Sequence, residues 1–164
     1  MPISKANRAR YPKNWTSEIV PRILARAGYR CETCRIPHHA VGYRDADGRF
    51  CSNAGNLYCD ATGEGKHPDG TRLTYAEARE FVDEYNCCGE GRRRCDDDGR
   101  HWLVVVLTVA HLTDELENCA DDALAALCQR CHNRRDAPSR ARNAAATRRA
   151  RRIQQQPALA LEAA

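Results

Sequence analysis

Two pairs of cysteines carry the most specific chemistry in this chain, Cys31-x-x-Cys34 and Cys128-x-x-Cys131. A Cys-x-x-Cys turn offers two thiolates to two corners of a tetrahedron. Two such turns complete a four-sulfur zinc site with no open position, which is a structural rather than a catalytic centre. The long chain between the pairs is no obstacle, because loop-closure entropy grows only logarithmically. The alternatives are a coincidence of buried thiols or a redox pair, and a thioredoxin-like pair needs a βαβ context that the sequence lacks. Six more cysteines lie between the pairs: Cys51, Cys59, Cys87, Cys88, Cys95 and Cys119. Cys51, Cys59, Cys95 and one of Cys87 or Cys88, with His67 as a substitute, form a second candidate zinc set at irregular spacing; the alternative is isolated thiols.

Two histidines stand near the second cysteine pair. His111 closes an apolar run, and His132 directly follows Cys131. A strand-end histidine facing a helix with a second histidine suits metal-assisted phosphodiester hydrolysis. One imidazole deprotonates water and the other holds a divalent ion against the scissile phosphate. A lone histidine in either place is ordinarily structural, and it is the combination with four cysteines that points to chemistry. His38 and His39 follow the first pair, where contact with a polyanion and simple solvation are both open; a surface role without chemistry is expected of them and of His101.

The elements that must position these groups follow from pattern. Residues 1–14 read as a basic, extended arm, with Tyr11-Pro12 disfavouring helix. A helix is expected from about Ser17 to Ala27, with Ile19, Ile23, Leu24 and Ala27 on one face, Pro21 in its first turn and Gly28 as its stop. Residues 37–72 are rich in Gly, Asp, Asn and Pro and read as irregular structure or short hairpins. Thr74-Tyr-Ala-Glu77 is a capping box for a helix to about Tyr85, with Ala78, Phe81, Val82 and Tyr85 as its apolar stripe and acids on the other face. Residues 87–100 are a charged loop. His101 to His111 is the clearest strand. Asp121 or Asp122 is expected to cap a second short helix through Arg135, with Leu124 and Leu127 inward and Pro138 as its end. The Arg/Ala-rich remainder is helical or disordered.

Charge is segregated along the chain. Residues 1–35 hold 8 Lys/Arg against 2 acids, residues 36–128 hold 9 against 18, and residues 129–164 hold 9 against 2. Basic ends suggest a polyanion, with nucleic acid the default; a soluble arginine-rich tail with no partner is the alternative. Arg134, Arg135, Arg140, Arg142, Arg148 and Arg149 would grip phosphates without specifying sequence. The 164 residues suffice for one domain with a large insertion, and with 2 Phe and 2 Trp the core is modest, so metal ligation has something to add. No apolar run reaches the roughly 18 residues of a membrane span. The N-terminus carries no secretory pattern, so a reducing cytoplasm is expected.

At these residues the chain resembles the HNH endonucleases. Leu127-Cys-x-x-Cys-His132 is similar to that family's helix signature, and the strand ending in His111 to its partner. Tyr11-Pro-Lys-Asn-Trp15, Arg30-Cys-Glu-Thr-Cys34 and Leu107-Thr-Val-Ala-His111-Leu112 resemble the zinc-containing HNH proteins of bacteriophages. The resemblance covers about residues 11–36 and 101–138. It implies an α+β chain with a treble-clef-like ββα-metal core, in which a hairpin and a helix pinch a divalent ion. A four-cysteine zinc site staples the unit. The parts would be a basic arm (1–16), a helix and zinc knuckle (17–36), a largely irregular insertion with one helix near 74–86 (37–100), the ββα core (101–138) and an arginine-rich tail (139–164).

By the resemblance, His111 falls on the general base. His132 falls on a ligand of the catalytic ion, Mg²⁺ or another divalent metal, and Asp136, one turn on, on a possible second ligand. The implied activity is hydrolysis of DNA in a bacterial host cytoplasm. Two positions depart from the family pattern. Ala110 stands where a metal ligand usually precedes the base, although alanine is usual in the phage-like branch. Ala123 stands where an asparagine orients the base; Asn118 lies five residues earlier, and Asp114, Asp121 and Asp122 are the nearby carboxylates. A working base then needs another partner for its ring, either a backbone carbonyl of the 113–122 loop or Asn118. Without one, turnover would be weak and Ala123→Asn would raise it. Two other classes compete: a zinc-stapled nucleic-acid-binding module with an inactive HNH fold, and an interaction protein whose acidic insertion docks a phage packaging or host protein.

Overall fold

The computed structural model describes residues 9–52, 64–67, 69–86, 99–113 and 115–155. Cys59, Cys87, Cys88, Cys95 and Asp114 fall outside them, so four members of the second candidate zinc set are not described. The described residues form a mixed α/β structure with two small sheets and three helices. The chain divides into two units, residues 1–129 and 130–164.

In the first unit, a π-helical turn over Trp15–Ile19 leads into α1, Val20–Arg26. Helical structure therefore starts two residues before the expected Ser17, and the described residues ahead of it, 9–14, form turns rather than an extended arm. Pro12 holds a turn whose carbonyl accepts from the Trp15 N–H at 3.0 Å, and Arg10 is tied to Glu117 at 2.5 Å. Pro21 sits in the first turn of α1, where its missing N–H costs nothing. Ile19, Ile23 and Ala27 are buried as the apolar spacing requires. Gly28 then ends the helix at φ 61°, a left-handed conformation that glycine adopts without strain.

The expected short hairpin is present: β1, Val41–Arg44, pairs antiparallel with β2, Phe50–Ser52. Helix α2, Tyr75–Tyr85, begins with both hydrogen bonds of the Thr74/Glu77 capping box. It covers the hairpin sheet through Ala78 and Val82, which form a core with Val41 and Trp102. Asn86 fixes that core at its edge, its amide bonding both the N–H (3.0 Å) and the C=O (2.9 Å) of Trp102.

The single strand expected over 101–111 is two strands in two sheets. β3, Leu103–Val104, pairs with β1, giving the order β2-β1-β3, while β4, Leu107–His111, pairs elsewhere. The break at Val105-Val106 is held by distant backbone. The Val105 N–H donates to Ala40 O, and His39 N–H donates to Val105 O at 2.7 Å. His38 then takes the Leu107 N–H on its Nδ1 at 3.0 Å. His38 and His39 are thus structural rather than solvated, and His39 Nδ1 also bonds Leu73 O at 3.0 Å.

The expected helix over 121–135 is also corrected. Asp121–Ala123 is a single 3₁₀ turn, and Leu124–Cys128 is β5, antiparallel to β4 with His111 opposite Leu124 and Leu107 opposite Cys128. Leu-Ala-Ala-Leu has good helix propensity, but pairing with β4 and full burial override it. α1 packs on this hairpin.

Helix α3, Gln129–Gln155, belongs almost wholly to the second unit and runs through Pro138 rather than ending there. A proline removes one helical hydrogen bond and crowds the preceding turn. Arg140 donates to the Asn133 carbonyl in that turn at 2.8 Å, and the Ala/Arg sequence beyond the proline is strongly helix-forming. Among the described residues, no helix is long and apolar enough to cross a membrane.

Candidate metal centre and histidine site

The first cysteine pair sits in a tight turn after α1. Cys31 N–H donates to Ile36 O at 2.9 Å, Arg35 N–H donates back to Cys31 O at 2.8 Å, and Arg30 bridges Pro37. Tyr29 and Arg35 take left-handed φ values of 55° and 63° to close the loop. Cys128 ends β5, and Cys131 follows in the first turn of α3. The four sulfurs of Cys31, Cys34, Cys128 and Cys131 lie within 4.8 Å of one another, the one such cluster found among the described residues. Cys34 and Cys128 are 3.6 Å apart, far beyond a disulfide bond. A zinc tetrahedron with Zn–S near 2.3 Å has edges of about 3.8 Å, so these separations fit a four-thiolate metal site. The donor set, four soft sulfurs with two of them buried, suits zinc. Cys128 N–H donates to Cys31 Sγ at 3.3 Å, and bonding to Cys128 holds the Cys31 thiol well below its ordinary range, toward the thiolate that a metal requires.

The other described members of the second candidate set do not converge. Cys51 Sγ faces Arg49 O at 4.0 Å, and His67 is paired with Glu77 at 3.2 Å.

His111 ends β4 inside an aromatic enclosure. Trp15 stacks on its ring at a centroid distance of 5.1 Å and 10° between planes, and Tyr11 meets it edge-on at 5.5 Å. Burial lowers the imidazole pKa, while the Leu116 backbone and the Glu117 charge oppose the shift. Cys119 Sγ lies 4.0 Å from Nε2. Burial raises the Cys119 thiol, so it is a neutral neighbour. Arg10 holds the Glu117 carboxylate down to about 2. Asn118 Oδ1 is engaged elsewhere, accepting from Ala120 N–H at 3.2 Å. The Tyr11/Trp15 enclosure was visible in sequence only as an i, i+4 aromatic pair, with no sign that it would meet a strand 96 residues away.

Both departures from the family pattern are packing positions: Ala110 and Ala123 are buried, and Ala123 O accepts from Leu112 N–H at 2.7 Å. Asp121 pairs with Arg22 at 2.9 Å.

Within the second unit, His132 Nε2 and Asp136 Oδ2 lie 3.4 Å apart one helical turn apart, so two potential hard-metal donors share a face. Burial lowers the His132 pKa, which favours the neutral, ligating form. Arg134, Arg135, Arg140, Arg142, Arg148 and Arg149 are exposed along α3. The chain matches no family model, no curated protein and no solved structure.

Proposed function

We propose that the chain is an HNH-type endonuclease with a ββα-metal core, which hydrolyses DNA phosphodiester bonds with one divalent ion and His111 as general base. One observation carries the reading. The β4–β5 hairpin bears His111 at one end and runs at the other through Cys128 of the four-thiolate cluster into α3, whose first two turns hold His132 and Asp136. Zinc on Cys31, Cys34, Cys128 and Cys131 would staple the unit. His132 and Asp136 would hold a magnesium-like ion, which when bound supplies Lewis-acid stabilisation of phosphate charge. Burial lowers the His111 pKa and so favours the neutral ring, whose free nitrogen would take a proton from water. The basic helix α3 would contribute phosphate contacts.

The test is cleavage of supercoiled plasmid in Mg²⁺ or Mn²⁺ by wild type, His111→Ala and His132→Ala. Nicking by wild type alone is the expected result. The burial of Ala110 and Ala123, which leaves neither position a ligand or an orienting amide, favours one second reading: a zinc-stapled DNA-binding module without catalysis. Wild type that holds zinc and binds DNA but cleaves under no divalent ion establishes that reading.

A further inference from the structure

The face of α3 that begins with His132 and Asp136 has a composition suited to duplex DNA. At about 100° per residue, that face continues through Ser139, Asn143, Thr147, Ala150 and Gln154, all small or amide-bearing. Arg135, Arg142 and Arg149, seven residues apart, line one flank, and Arg140 and Arg151 line the other. Arg134, Arg148 and Arg152 fall on the opposite side. Every residue from 140 to 154 is exposed, and Asp136 is the helix's single acid. No apolar stripe is present for a protein groove, a coiled-coil mate or a lipid surface to cover.

We propose that this face lies in the major groove of duplex DNA, with the flanking arginines on the phosphates of the two strands and Asn143 reading a base edge. A helix with its side chains is about 10–12 Å across and the B-form major groove about 12 Å wide, so small residues must face the floor and long cations the walls. That is the order found. Asparagine and glutamine amides pair with adenine N6 and N7, whereas serine and threonine are less selective. Thr147 uses its hydroxyl on the Asn143 carbonyl at 2.9 Å, leaving the Asn143 amide as the reader nearest the His132 end. A-form RNA has a deep, narrow major groove that excludes such a helix. The inference rests on the DNA reading above and assigns it a substrate form, a docking face and a base preference.

The experiment uses the full, zinc-loaded chain carrying His111→Ala, so that bound DNA stays intact. Affinity for a labelled random-sequence DNA duplex is followed against salt. Two charge-matched sets are compared, Arg142→Gln with Arg149→Gln and Arg151→Gln, and Arg134→Gln with Arg148→Gln and Arg152→Gln. Glutamine keeps helix propensity, and circular dichroism checks it. At about 0.9 per phosphate, the first set should lower the slope of log affinity against log salt by between about 2 and 3, and the second by less than about 1. Lysine at the first three positions should keep the slope; if it does not, the proposal fails. Equal losses from both glutamine sets, or equal affinity for duplex RNA, would overturn the groove geometry. In selection from randomised duplexes, wild type should prefer an A·T pair that Asn143→Ala no longer selects, with the slope unchanged; no wild-type preference overturns the base contact. Face-dependent binding without plasmid cleavage sinks the endonuclease reading alone, and cleavage without face-dependent binding sinks this one alone.

Discussion

Glu32 and Ala126 exchange two hydrogen bonds: Glu32 N–H donates to Ala126 O at 2.9 Å, and Ala126 N–H donates to Glu32 Oε2 at 3.1 Å. A side chain thereby completes what a neighbouring strand would do for the open edge of β5. Arg26 extends the cover, reaching both Glu32 Oε1 and Leu124 O at 2.8 Å. The contact joins the residue after Cys31 to the strand that ends in Cys128, so the two cysteine pairs are brought together by ordinary hydrogen bonds as well as by any shared metal.

Glu32→Ala should therefore destabilise the chain by about 1.5–3 kcal/mol, since it strips a charged acceptor from a part-buried N–H and leaves Arg26 without its pair. Glu32→Gln keeps an acceptor for Ala126 and should cost less. Urea unfolding at fixed zinc measures both, and equal losses would show that charge, not the acceptor, holds the edge.

Zinc should be present at one ion per folded chain. Cys128→Ser should lower the melting temperature and the zinc content together, because the ligands come from segments nearly a hundred residues apart and the metal joins them. Elemental analysis and thermal melting read this directly. Folded, zinc-free protein with an unchanged melting point would count against the site.

What was legible in the sequence was local or chemically unambiguous. The α2 helix followed from a capping box and an apolar stripe, and the metal cluster from four like residues in two tight pairs. What was not legible was decided at a distance. Leu103 to Val109 is uniformly β-prone, so nothing in it marks Val105 as the point where the chain changes sheets; that is set by Ala40, His38 and His39. β5 reads as helix because Asp121 or Asp122 offers a cap and Leu124 and Leu127 stand at helical spacing, while the residue that covers its second edge, Glu32, lies in another part of the chain. Pro138 reads as a stop because proline ordinarily ends a helix, whereas the helix-forming Ala/Arg sequence beyond it carries α3 through.

His38 should make stability depend on pH. Its Nδ1 must be neutral to accept the Leu107 N–H, and burial, with His39 and Arg72 nearby, lowers its pKa from 6.5 to about 4. The unfolded chain then binds more protons between those values, so this contribution is full above about pH 6.5 and is lost as pH falls toward 4. Stability should therefore fall as the pH is lowered from 7 to 5. His38→Asn retains an acceptor that does not titrate, and should flatten this part of the profile. Parallel profiles for the two proteins would refute the assignment.

The stacking of Trp15 on His111 gives the last prediction. Burial beneath the indole is the leading cause of the lowered His111 pKa, against the pull of the Leu116 backbone and Glu117. Trp15→Ala opens that face to water and should move the pKa up toward its ordinary value, as followed by NMR titration of the ring. If His111 is the general base, the acid limb of the cleavage profile should move upward with it, because the base must be neutral to take a proton. Ala123 is buried, so Ala123→Asn should cost stability by crowding its site. Thermal melting checks this, and an unchanged melting point would show that the site has room for the amide.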